Sequence, residues 1–148
     1  MMIEMSAPVC AQEQLSEWHC VLYHKQRTSA RTRFLRLSGD VVFPQPDEDA
    51  TLAETVPSVK VRAHPAAGLA GVSATVGLGA AELRVDGEPL GAIGEPPTPV
   101  WLVEVTTIDP PFDEVAAFGG AFVSIMEMRD VPEAQRALLR LAYERILG

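Results

Sequence analysis

Arg27 and Arg31 stand four residues apart in K-Q-R-T-S-A-R-T-R-F-L-R, a block that holds five of the chain's twelve positive charges in a protein of net charge −8. No Asp or Glu falls between Trp18 and Gly39. A cationic block kept free of local acid concentrates positive potential on one patch, and such a patch attracts anions. Each guanidinium is a planar fork that can grip a phosphate, or the O6/N7 edge of a guanine, through two parallel hydrogen bonds. Charge runs on surfaces also occur simply as solvated turns. The overall acidity argues against general nucleic-acid binding, which needs many phosphate contacts from a net-basic surface. A small anion held by a local patch is compatible with it.

Other reactive residue types do not assemble into a site. Cys10 and Cys20 form no C-x-x-C pair, and His19, His24 and His64 lack the partners of a metal ligand set. A thiolate–imidazole pair among His19, Cys20 and His24 has no orienting third group nearby. Two acid pairs, Glu13 with Glu17 and Asp113 with Glu114, read as solvated side chains rather than as a general acid and base. No enzymatic activity is expected. The start of the chain, M-M-I-E-M-S-A-P, lacks a basic segment and an apolar core, so it does not read as a secretory signal. No apolar run approaches the roughly 20 residues of a membrane span, so no membrane insertion and a cytoplasmic setting are expected.

The elements that must position the arginines follow from hydrophobic period. At 148 residues, with twelve prolines and eleven glycines, the chain reads as one turn-punctuated domain rather than a helical bundle. Leu15, Trp18 and Leu22 at i, i+3 and i+7 predict a helix over residues 6–25, although W-H-C-V-L-Y-H also alternates. Arg33–Phe43 predicts strand broken by a turn or bulge at Ser38-Gly39-Asp40. Residues 44–57 predict an exposed acidic loop. Ser58–Ala63, Leu69–Leu78, Ala81–Asp86, Val100–Ile108 and Ala121–Met128 predict further strands, the last apolar on both faces. At the end, Asp130 as N-cap with Glu133 three residues on predicts a helix over 131–147, with Ala134, Leu138, Leu141, Ala142 and Ile146 inward and Arg136, Arg140 and Glu144 in water. Strands so short and regularly spaced are expected to pair antiparallel and to close into a small barrel that removes exposed edges.

This layout resembles the PilZ domain family, small six-stranded antiparallel β-barrels with a C-terminal α-helix, many of which are receptors for the bacterial second messenger cyclic di-GMP. Arg27-Thr-Ser-Ala-Arg31 matches the family's R-x-x-x-R, just ahead of the expected first barrel strand, and F-G-G-A-F-V-S-I-M-E-M-R-D-V-P-E-A-Q-R-A-L-L-R-L looks like its last strand running into its helix. The second family motif, [D/N]-x-S-x-x-G, is degenerate. One register keeps Ser73, has Gly71 at the acid or amide position and places its glycine one residue late at Gly77; another begins at Gly77 and keeps none of the three positions.

The resemblance implies a PilZ-like domain over 27–148 after an N-terminal helical or flexible segment, 1–26, that folds over the ligand. It implies a non-enzymatic signalling module, with Arg27, Arg31, Arg33, Ser73 and Gly77 as the ligand-binding set and cyclic di-GMP as the ligand. The degenerate motif keeps a second reading open: a PilZ-like adaptor that has lost the nucleotide and works by protein contact, through Trp18 and Tyr23 or the apolar stretch at Pro110, Pro111 and Phe112. An unrelated small β-barrel is the third.

Overall fold

A computed structural model describes residues 19–47, 49–53 and 69–148 of the chain. Seven strands form one mixed sheet: β1 (His19–Lys25), β2 (Thr32–Leu37), β3 (Val42–Phe43), β4 (Leu83–Val85), β5 (Gly91–Ile93), β6 (Thr98–Val105) and β7 (Gly120–Val123). Among the described residues three α-helices accompany them: α1 (Leu69–Val76), α2 (Phe112–Ala116) and α3 (Glu133–Leu147). The strand order is β4-β6-β1-β2-β7, with β3 also on β1 and β5 also on β6. A sheet with a C-terminal helix is therefore present, but β4 and β7 do not pair and the sheet stays open. The expected six antiparallel strands become seven, and the central pair is parallel, with Cys20 opposite Trp101 and Leu22 opposite Val103.

The open sheet keeps its strands dry by burial on both faces rather than by closure. On one face Leu22, Leu35, Trp101, Val103 and Phe122 pack with Val72 and Val76 of α1 and Val115 of α2. On the other, Val21, Phe34, Val100 and Leu102 pack with Leu138, Leu139 and Ala142 of α3. Alternation along β6 sends Trp101 and Val103 one way and Val100 and Leu102 the other, so neither of its faces is polar.

Three local expectations change under this packing. His19–Lys25 is strand and not the end of a helix; its residues fill the centre of the sheet, where both neighbours take its backbone hydrogen bonds. Leu69–Leu78 is a helix as far as Val76, because Val72 and Val76, four apart, bury one stripe at 3% and 1% exposure. Ala121–Met128 is strand only to Val123, after which Ile125–Glu127 coils into a 3-10 turn. The expected strand Ser58–Ala63 lies outside the described residues.

The terminal helix starts and faces differently than its sequence predicts. A capping box does occur, but at Ser124 and Glu127 of the 3-10 turn. The N-cap of α3 is Pro132, without a side-chain cap, while Asp130 pairs with Arg36 at 2.7 Å. That guanidinium holds the Asp130 carboxyl below the usual carboxylate range. Gln135, Leu138, Leu139 and Ala142 face inward, and Leu141, expected inside, is 39% exposed. The Ser38-Gly39-Asp40 break is present as expected, Leu37 and Asp40 exchanging backbone hydrogen bonds at 2.9 and 3.0 Å across the turn.

Candidate anion-binding site

The basic block sits on the hairpin between β1 and β2. Lys25 and Thr32 are the last paired residues, and Gln26 N donates to Arg31 O at 2.9 Å to close the loop. The loop is tied down on both sides. Arg31 N donates to Ser29 Oγ at 3.3 Å, and Gln26 Nε2 reaches Asp109 Oδ1 at 2.8 Å. Ala30 takes a left-handed φ of 57°, so the turn places Arg27 and Arg31 at its two ends. Both are exposed, and no carboxylate among the described residues lies within ion-pair distance of either. By contrast Arg36, Arg84 and Arg145 each hold an acid.

This placement corrects the expected one. The arginines follow the first strand rather than precede it, and the segment ahead of them ends in the central strand of the sheet. Residues 19–25 cannot swing over a ligand, since moving β1 would break its pairing with β2, β3 and β6.

Arg33 extends the patch inward. It is paired across the hairpin with His24, and directly opposed residues of an antiparallel pair share a face. Its guanidinium lies 5.4 Å from the centre of the Phe112 ring, a cation–π distance, and its Nη1 is buried without a hydrogen-bond partner. His24 is fully buried, with Nε2 2.7 Å from Thr107 O. In the neutral imidazole Nε2 then carries the proton, and Nδ1 is an acceptor, also buried and unpartnered. Phe122 stands edge-on to both the His24 and Phe112 rings, at 6.4 and 6.3 Å. Behind the exposed arginines the fold thus leaves Arg33 Nη1 and His24 Nδ1 buried and without hydrogen-bond partners among aromatic rings. Buried polar atoms without partners are few in native proteins, so these two stand out.

Ser73 and Gly77 are placed elsewhere. Ser73 lies on α1, and its hydroxyl donates to Leu78 O. Gly77 ends that helix at φ 77°, where an added Cβ would run into the Phe118 ring. The hairpin carries Arg27, Arg31 and Arg33, while Ser73 and Gly77 stand on a separate element, α1 and its end. Gly77→Asp is accordingly expected to destabilise the protein by at least about 1–2 kcal/mol, the cost of a left-handed non-glycine residue, with the ring contact added. Chemical denaturation would show it as a lowered midpoint; an unchanged midpoint would refute this helix end.

Sequence reasoning missed His24 and Phe112 as neighbours of Arg33. The signal for His24 was its alternation with Leu22 and Cys20, which puts it on the face that Arg33 shares once the hairpin register is known. Cys20 is fully buried, and burial pushes its thiol well above the ordinary range. His19 is held below its ordinary value by burial, with Nδ1 2.7 Å from Pro44 O. Asp113 and Glu114 are exposed in the first turn of α2. Trp18, Cys10, His64, Glu13 and Glu17 lie outside the described residues. Among the described residues no group of His, Cys, Asp or Glu is arranged to hold a metal ion, and no helix is long and apolar enough to cross a membrane. No family model matches the chain, and no curated protein is significantly similar to it.

Proposed function

We propose that the chain is a cytoplasmic, non-enzymatic signalling module that holds an anionic ligand on the β1–β2 hairpin, with cyclic di-GMP the ligand implied by its PilZ-like R-x-x-x-R. The observation that carries this reading is the pairing of two exposed, acid-free guanidinium groups, Arg27 and Arg31, with the buried unpartnered Nη1 of Arg33 behind them. Cyclic di-GMP brings two phosphates and two guanines. The guanidinium forks grip phosphates or O6/N7 edges, and a base can stack on a guanidinium plane; Arg33 already lies 5.4 Å from the Phe112 ring centre. With Ser73 turned to Leu78 O, guanine edges depend on the arginines and on the backbone for recognition.

Calorimetric titration with cyclic di-GMP tests the reading. Arg27→Ala and Arg31→Ala should each weaken binding by about 1.5–3 kcal/mol, the value of a hydrogen bond to a charged group. Arg84→Ala, whose side chain is committed to Glu104, should leave it unchanged. No heat at high micromolar ligand would remove the receptor reading.

The adaptor reading then takes its place, and one observation favours it. Ile108, Phe112 and Phe118, in and around α2, are 86%, 47% and 50% exposed. Large apolar side chains left in water on one short stretch suit contact with another protein.

A further inference from the structure

A second set of arginines lies on the opposite face of the sheet, and the hairpin reading does not use it. Arg129, Arg136 and Arg140 border a cleft of about 250 Å³ between the 3-10 turn and α3, floored by Met128 and Leu139. No carboxylate among the described residues pairs with any of the three, although the chain carries twenty acids against twelve bases. Glu133 and Glu144 share the helix with Arg136 and Arg140, and Asp49 lines the adjoining groove with Arg140, yet none comes within ion-pair distance. The Nε of Arg136 is buried and has no hydrogen-bond partner. Met126 is 78% exposed at the mouth of the cleft.

We propose that this cleft docks an acidic peptide segment of a partner protein, one that carries an apolar side chain between carboxylates. Three features select that occupant. The cavity is smaller than the roughly 300–1,000 Å³ typical of small-molecule sites, and suits a single side chain. Arg136 and Arg140 are one helical turn apart, about 6 Å along the axis, so that they meet carboxylates two residues apart in an extended segment, or one turn apart in a helical one, rather than one compact anion. An exposed methionine over a methionine floor is an adaptable apolar contact that re-packs around an incoming side chain. Charge complementarity supplies the rest: guanidinium groups that hold no acid of their own, beside an apolar floor, call for an anionic partner that also brings apolar surface.

Fluorescence anisotropy with a labelled hexapeptide alternating Glu and Leu tests the assignment, with Lys-Leu and Glu-Ser hexapeptides as comparators. The Glu-Leu peptide should bind at least tenfold tighter than either. The double variant Arg129→Glu, Arg140→Glu, which alters two exposed side chains, should lose that binding tenfold or more. Met126→Asp, also at an exposed position, should lose it independently, and both proteins should keep the parent melting temperature. Lys25→Glu, the same charge change on the hairpin side, should alter affinity less than twofold.

Equal binding of the three peptides would overturn the proposal. So would a loss from Lys25→Glu as large as that of the double variant. Association with phosphatidylglycerol vesicles that exceeds peptide binding and depends on the same arginines would assign the face to a lipid surface and also overturn it.

Discussion

Replacing Leu138 by alanine should lower the unfolding free energy by about 2–5 kcal/mol, the range for a fully buried leucine whose surroundings relax only in part. Leu138 is 0% exposed and sits at the centre of the cluster that joins α3 to the sheet. Its Cδ2 would be 3.1 Å from a Cβ placed on Gly91, so helix and β5 backbone meet there with no side chain between them. The strand cannot close the gap by bending inward, because Gly91 and Ile93 are held in register with Val100 and Thr98 of β6. A cavity would therefore persist. Leu141→Ala, at a half-exposed position, should cost well under half as much. Urea titration of both variants decides between two orientations of the helix. Equal losses would mean that Leu141 faces inward, as the heptad-like spacing of the helix suggests, and the observed rotation would be wrong.

Gln135→Met should cost about 1–3 kcal/mol for each backbone donor it strands, and it strands two. Gln135 is 3% exposed on the inward side of α3. Its Oε1 accepts from Val41 N at 2.8 Å and from Val42 N at 3.3 Å, where the turn at Ser38-Gly39 interrupts the edge of the sheet. Its Nε2 donates to Asp40 Oδ1 at 2.7 Å, which fixes the amide's orientation. Methionine has a similar volume and length, so packing is kept while all three hydrogen bonds are removed. Denaturation midpoints report the energetic loss, and amide exchange at Val41 reports its cause. A variant as stable as the parent, with Val41 still protected, would show that the glutamine is not what satisfies the broken ladder.

The turn at Ser38-Gly39, the strand around Val103, the terminal helix and the acid-free arginine block were all legible in the residues. Each is decided locally: by a pair of residues that accept positive φ, by a period of two, by a period of 3.6, or by charge content alone. The placement of the site was less legible. Arg27 and Arg31 read as a leader ahead of the first strand because His19–Lys25 scored as the end of a helix, with Leu22 in register with Trp18 and Leu15. Within the sheet, the same Leu22 alternates with Cys20 and His24, and that reading wins because β2 and β6 supply backbone partners that no local pattern contains.

Residue order alone thus determined which residues carry positive charge without nearby acid, where the chain turns, and that a helix closes the fold. Tertiary structure decided the rest: the parallel pairing of β1 with β6, the helical state of Leu69–Val76, the inward turn of Gln135, and the meeting of Arg33 with His24 and Phe112. The physical reason is common to all four. Hydrophobic period reports which face of a segment is dry, but when both faces of a sheet are covered that signal loses its direction. Partner choice then depends on hydrogen bonds and contacts between residues far apart in the chain.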